Sequence, residues 1–134
     1  MSSRRAVYTS KAPKPLGGLL SQAIVANGFV FTSGVIASDP ETGHMIGEGD
    51  IQAQFHQCVK TLGAILDQAG SSLGDVVDVT LMVADSSQFA SMNEAYKGYW
   101  GDIKPARMTI FCTELPPKSL VELKCVAVVT KSKM

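Results

Sequence analysis

The chain has 134 residues, 46% of them apolar and 18% charged, which fits one globular domain (residues 1–134) whose core can stand without disulfides or metal. Twelve Lys and Arg offset twelve Asp and Glu for a net charge of +0, so no long-range field draws in polyanions, and general nucleic-acid binding is disfavoured. No run approaches the roughly 18 consecutive apolar residues of a membrane helix, which points to a soluble protein with no membrane partner.

The first 38 residues contain no acidic residue and include Arg4, Arg5, Lys11 and Lys14. A mitochondrial presequence shares that composition, but residues 6–9 also read as a first strand, and residues 1–16 lack the apolar stretch of a secretory signal. Residues 22–26 and 29–33 flank Asn27-Gly28, a dipeptide whose positive φ angles suit a two-residue hairpin turn. Residues 36–49 hold Asp39-Pro40, Gly43, Gly47 and Gly49 and read as an irregular run of turns. Asp50 then sits where an N-cap belongs, and Ile51, Phe55, Cys58, Val59, Leu62, Ile65, Leu66 and Ala69 recur at steps of three and four until Gly70. That spacing predicts a first helix.

Residues 76–84 form a nearly continuous apolar run, expected to be a strand buried on both faces. Ser86 or Ser87 is expected to cap a second helix with Phe89, Met92, Tyr96 and Tyr99 on one side, ending near Gly101. Residues 106–113 and 120–130 are two further strands joined across Leu115-Pro116-Pro117. The expected order is β-β-β-α-β-α-β-β: an α+β fold with two helices on one face of a mixed six-stranded sheet. Because the strands carry apolar side chains on both faces, the uncovered face calls for a second copy, and a homo-oligomer is predicted. Cys58, Cys112 and Cys125 are odd in number and lack a C-x-x-C pair, which reads as reduced, mostly buried thiols in the cytoplasm. The final Ser132-Lys133-Met134 lies one residue from a peroxisomal address, so the peroxisome and the mitochondrion stand as alternatives.

Several chemistries are disfavoured by spacing. The glycines spell no dinucleotide fingerprint or phosphate loop, and His44 and His56 are too far apart for H-E-x-x-H. No cofactor and no metal are expected, and both histidines read as surface residues. What stands out is charge inside apolar strands. Arg107, just after Pro105-Ala106, has a fork of donors suited to bidentate capture of a carboxylate. Glu122 and Lys124 alternate with Val121, Leu123 and Cys125 and so share one face of the last strand. An Arg107–Glu122 ion pair is the purely structural reading of the same residues. Ser33-Gly34 ends the hairpin with a hydroxyl and an uncrowded amide, and Asn93 lies among Phe89, Met92 and Tyr96.

These residues fall into a pattern that resembles the reactive intermediate deaminase family, also called the YjgF/UK114 family. The likeness covers nearly the whole chain and is carried by Ser21-Gln22-Ala23, Phe31-Thr32-Ser33-Gly34, Asp39-Pro40-Glu41-Thr42-Gly43, Asn93-Glu94-Ala95-Tyr96, Pro105-Ala106-Arg107 and Val121-Glu122-Leu123. The resemblance implies a chorismate-mutase-like fold, a homotrimer with a central barrel, and ligand clefts between subunits. It also implies cofactor-free hydrolysis of enamines and imines of amino-acid metabolism to 2-keto acids and ammonia. On this reading Arg107 binds the substrate carboxylate, Glu122 holds and activates the attacking water, and Ser33, Gly34 and Asn93 line the cleft. Three positions depart from the family pattern: Leu20 stands in place of a pocket tyrosine, Val35 in place of a common glutamine, and Thr109 where many members carry a cysteine. The Leu20 change makes the pocket more apolar. A non-catalytic trimer that binds small keto acids through Arg107 is the alternative function, and a ribonuclease or translation inhibitor is a third, disfavoured by the neutral charge.

Overall fold

The structure, a computed structural model, describes residues 3–131. Ser132-Lys133-Met134 lies outside the described residues. The strands are β1 (Arg4–Val7), β2 (Ala23–Ala26), β3 (Phe29–Thr32), β4 (Val76–Val83), β5 (Ala106–Phe111) and β6 (Val121–Val128), and the helices are α1 (Ile51–Ala69) and α2 (Phe89–Tyr96). They form one six-stranded sheet in the order β1-β2-β3-β6-β4-β5. β4 and β5 run parallel and the other pairs antiparallel, so the sheet is mixed, as the element order implied.

Local chemistry explains the best-defined elements. Asn27 at φ 51° and Gly28 at φ 81° make the β2–β3 turn, a conformation that glycine and asparagine adopt at low cost. The Asp50 side chain accepts from the Ala53 amide at the start of α1, worth about 1 kcal/mol for such a cap. Gly70 ends the helix at φ 88° with its amide donating back to the Leu66 and Asp67 carbonyls. The second helix begins differently from expectation. Asp85, not Ser86 or Ser87, accepts from the Ser87 amide and opens a 3-10 turn at Ser86–Gln88 that leads into α2. α2 stops at Tyr96, earlier than the predicted Gly101, and Trp100 beyond it is buried with its indole N–H donating to the Tyr96 carbonyl.

The core lies between α1 and one face of the sheet. Phe55, Cys58, Leu62, Ile65 and Leu66 meet Val30, Val79, Leu81, Val83, Leu123 and Ala127. Truncating an aromatic such as Phe55 to alanine in a core of this kind costs about 3–5 kcal/mol. The opposite face has no such cover. β4 alternates buried Val79, Leu81 and Val83 with less buried Thr80 and Met82, so the expectation of a strand buried on both faces does not hold within one protomer. Phe29, Phe31, Met108 and Ile110 are exposed on that open face.

Two buried glutamines tie the irregular segments to this frame. The Gln22 side chain accepts from the Thr9 amide and donates to the Thr9 and Pro13 carbonyls. Gln54 accepts from the Leu120 amide and donates to the Gly47 and Lys118 carbonyls. A buried backbone group left without such a partner is costly, and the segments held this way border the site.

Candidate active site

Sheet register decides where the two singled-out charges go. Val79 pairs with Arg107 on one side and with Cys125 on the other, whereas Met82 pairs with Ile110 and Glu122. Laterally paired residues project to the same face and neighbours along a strand to opposite faces. Arg107 therefore lies on the helix side of the sheet, and Glu122 on the open side. No ion pair joins them among the described residues, so the purely structural reading of the pair is not what the fold builds.

Arg107 is held by α2. Its Nη1 donates to Asn93 Oδ1 at 2.8 Å, and its guanidinium lies 4.6 Å from the centre of the Tyr96 ring and 5.5 Å from that of Phe89. These partners orient the cation without neutralising it. Burial raises the Tyr96 pKa, and the nearby guanidinium opposes that shift. Thr109 lies two residues along the same face of β5, and Phe111 beyond it meets Phe89 edge to face. Asn93 and Arg107 thus meet on this face, with Thr109 next to them along β5.

Glu122 lies on the other face. It lines a cavity of about 280 Å³ with Leu20, Ser33 and Gly34. A methyl group added at Gly34 would meet the Glu122 carboxylate, which would have to turn aside. Desolvation by burial is the cause that raises the Glu122 pKa above its ordinary value. Ser33 is less free than its position suggested: its hydroxyl donates to the Ser21 carbonyl at 2.6 Å, and its amide to the Gln22 carbonyl at 2.9 Å. It braces the segment that ends in Leu20, which is itself 47% exposed at the cavity.

Leu20, Ser33, Gly34 and Glu122 therefore come together, as do Asn93, Arg107 and Thr109, but the two groups are separate within one chain. Tyr96 and Phe89 were read from the sequence as apolar helix positions, and their role as a platform under Arg107 appears only in three dimensions. Thr61, which no sequence reasoning singled out, also lines the cavity. The other candidates are inert. Burial pushes the Cys125 thiol up to about 12 and the Cys58 thiol higher still, far from a reactive thiolate at neutral pH. His44 and His56 are exposed, with His56 Nδ1 against the Tyr99 hydroxyl. The described residues contain no cluster of metal-ligating side chains.

A family profile described as Endoribonuclease L-PSP matches residues 9–129. The chain belongs to this family. Among its relatives in the L-PSP family, a RutC family protein of Pyrococcus abyssi is 43% identical over 125 residues, covering 93% of this chain and 97% of that one. The 2-iminobutanoate/2-iminopropanoate deaminase of Rattus norvegicus is 36% identical, over 93% of this chain and 90% of its own. The crystal structure of E. coli TdcF with bound serine superposes with a TM-score of 0.86 at 30% identity, covering 94% of this chain and 99% of that one. The resemblance to reactive intermediate deaminases read from the sequence motifs is borne out, and the L-PSP fold is that of the structural relatives.

Proposed function

We propose that this protein is a cofactor-free hydrolase that converts small imines and enamines derived from amino acids into 2-keto acids and ammonia. The observation that carries the reading is the pair of uncompensated opposite charges. Arg107 is oriented by neutral partners and Glu122 stands in a largely apolar cavity without an ion-pair partner among the described residues, on opposite faces of the sheet. One copy's Arg107 face meeting another's Glu122 face would complete a site, and the exposed apolar residues of the open face favour such packing. A homotrimer is the assembly proposed.

In such a site the Arg107 fork binds the substrate carboxylate, with Asn93 fixing the guanidinium plane. The Glu122 carboxylate accepts a proton from a water as its oxygen bonds to the carbon of the protonated imine. The tetrahedral carbinolamine that forms takes that proton from Glu122 on its nitrogen, the C–N bond breaks and ammonia leaves as the carbonyl closes, the hydroxyl proton passing to the freed Glu122 carboxylate and from there to the departing ammonia or solvent. Burial raises the Glu122 pKa and so strengthens it as a base. The serine held by E. coli TdcF and the deaminase name of the rat relative support a small amino-acid-derived ligand. The ribonuclease in the family's description would call for a cationic surface, which twelve basic residues balanced by twelve acidic ones do not favour.

The test generates imines in situ with an amino-acid oxidase while a trapping agent competes for them. Wild type is expected to accelerate keto-acid formation, and Arg107→Ala and Glu122→Gln each to abolish it. Co-refolded mixtures of those two inactive variants should regain about one quarter of wild-type activity, because some interfaces then unite an intact Arg107 with an intact Glu122. Absence of acceleration by wild type would sink the hydrolase, and absence of recovery in the mixture would sink the shared site.

A further inference from the structure

The cavity beside Glu122 extends well past the reacting carboxylate. Most of its walls are apolar, with Leu16, Leu20, Ile36 and Ile65 among them, while Lys14 and Ser38 add polar groups to the lining. Thr61, also on the lining, is 2% exposed, and its hydroxyl oxygen has no hydrogen-bond partner among the described residues. A volume of about 280 Å³ is far more than the methyl group of an alanine-derived imine would fill. A buried hydroxyl with no protein partner, in a cavity of that size, marks space built to be occupied rather than closed by packing.

We infer that this cavity is the side-chain pocket of the proposed hydrolase, and that it selects imino acids with aliphatic side chains larger than methyl, whose far end meets Thr61. The inference rests on the reading of the site as an imine hydrolase. Two features specific to this chain carry it. Leu20 puts an alkyl group at the cavity where a tyrosine is the family pattern, and the Pro13–Leu20 segment is pinned over the cavity by the Gln22 side chain and the Ser33 hydroxyl. Pinned apolar walls reward each methylene they take out of water, whereas a substrate with no side chain beyond its β-carbon leaves them unfilled. Thr61 is buried at the lining with its hydroxyl already out of reach of water, so a long side chain that packs against it meets a polar group it cannot satisfy.

The test compares kcat/KM for imines formed in situ from alanine, norvaline and norleucine. Wild type should favour norleucine over alanine on the order of tenfold or more. Thr61→Val, which keeps shape and removes the hydroxyl, should raise the norleucine value several-fold and leave alanine unchanged. Leu20→Ser, at an exposed position that does not threaten folding, should lower the norleucine preference. Calorimetric titration with pyruvate and with 2-oxohexanoate gives the same comparison without turnover, and the longer keto acid should bind more tightly. Turnover with equal kcat/KM across the series, or binding with no preference for 2-oxohexanoate, overturns the pocket assignment. A Thr61→Val effect equal on alanine and norleucine, or none on either, overturns the position of Thr61. If no imine is hydrolysed yet 2-oxohexanoate binds preferentially, the pocket stands and the hydrolase reading fails.

Discussion

On the face covered by the helices, Arg107 is tied to Asn93 and laid over Tyr96, whereas on the open face Glu122 stands against Gly34 in a largely apolar cavity that Lys14 also lines, and it forms no ion pair among the described residues. The arginine is oriented by groups that leave its charge intact, and a surface cation loses little by this. The carboxylate pays for its position, because burial raises its pKa and destabilises the charged form. The fold keeps both charges apart, although a direct ion pair would satisfy each, and the proposed function uses them across two copies of the chain.

The largest expected effect breaks the costly half. Glu122→Gln should lower kcat by about 10²–10⁴, the range of a lost general base, with KM changed far less, as measured by steady-state imine hydrolysis. Next, Arg107→Lys keeps the charge but loses the planar fork. It should raise KM on the order of tenfold and recover only part of what Arg107→Ala loses, so a full rescue would show that the fork is not used. Gly34→Ala drives a methyl group into the Glu122 carboxylate and should lower kcat about tenfold without loss of the folded state by circular dichroism. Asn93→Ala leaves Arg107 on its aromatic platform but frees its Nη1, and KM should rise about threefold.

The smallest effect concerns pH. The folded state holds the Glu122 proton more tightly than the unfolded chain, since burial raises its pKa above 4.5. The linked stability is therefore present at low pH and is lost as pH rises through that raised value. Wild-type kcat/KM should show an acid limb above 4.5, absent from residual activity in Glu122→Gln. The same variant should melt about 1–3 °C higher than wild type at neutral pH and no higher in acid. An unchanged Tm at neutral pH would mean that the cavity does not penalise the charge.

Short-range chemistry was legible along the chain. Asn27-Gly28 sets the hairpin because few residues tolerate its positive φ angles, and Asp50 and Gly70 bound α1 because unpaired end groups need a side-chain acceptor and a left-handed residue. The start of α2 was misplaced by one or two residues because Asp85 caps a 3-10 turn over Ser86–Gln88, and α2 follows that turn with no side-chain cap of its own. Glu122 and Arg107 were identifiable by type, since charges are costly in otherwise apolar strands.

What tertiary structure alone decided is how those pieces face one another. Whether Arg107 and Glu122 share a face depends on the β4–β5 and β4–β6 registers, and a one-residue slip would reverse it. Register across the 22 residues between β4 and β5 and the 37 between β4 and β6 is set by packing under the helices, which no local pattern encodes. Gln22, Gln54 and Thr61 looked like ordinary polar residues until the fold buried them. The sequence by itself determined the elements, their order and the reactive residue types, because these follow from local propensity and periodicity. Only the folded sheet determined that the two charges lie on opposite faces, because side-chain direction is settled by which strands pair and in what register.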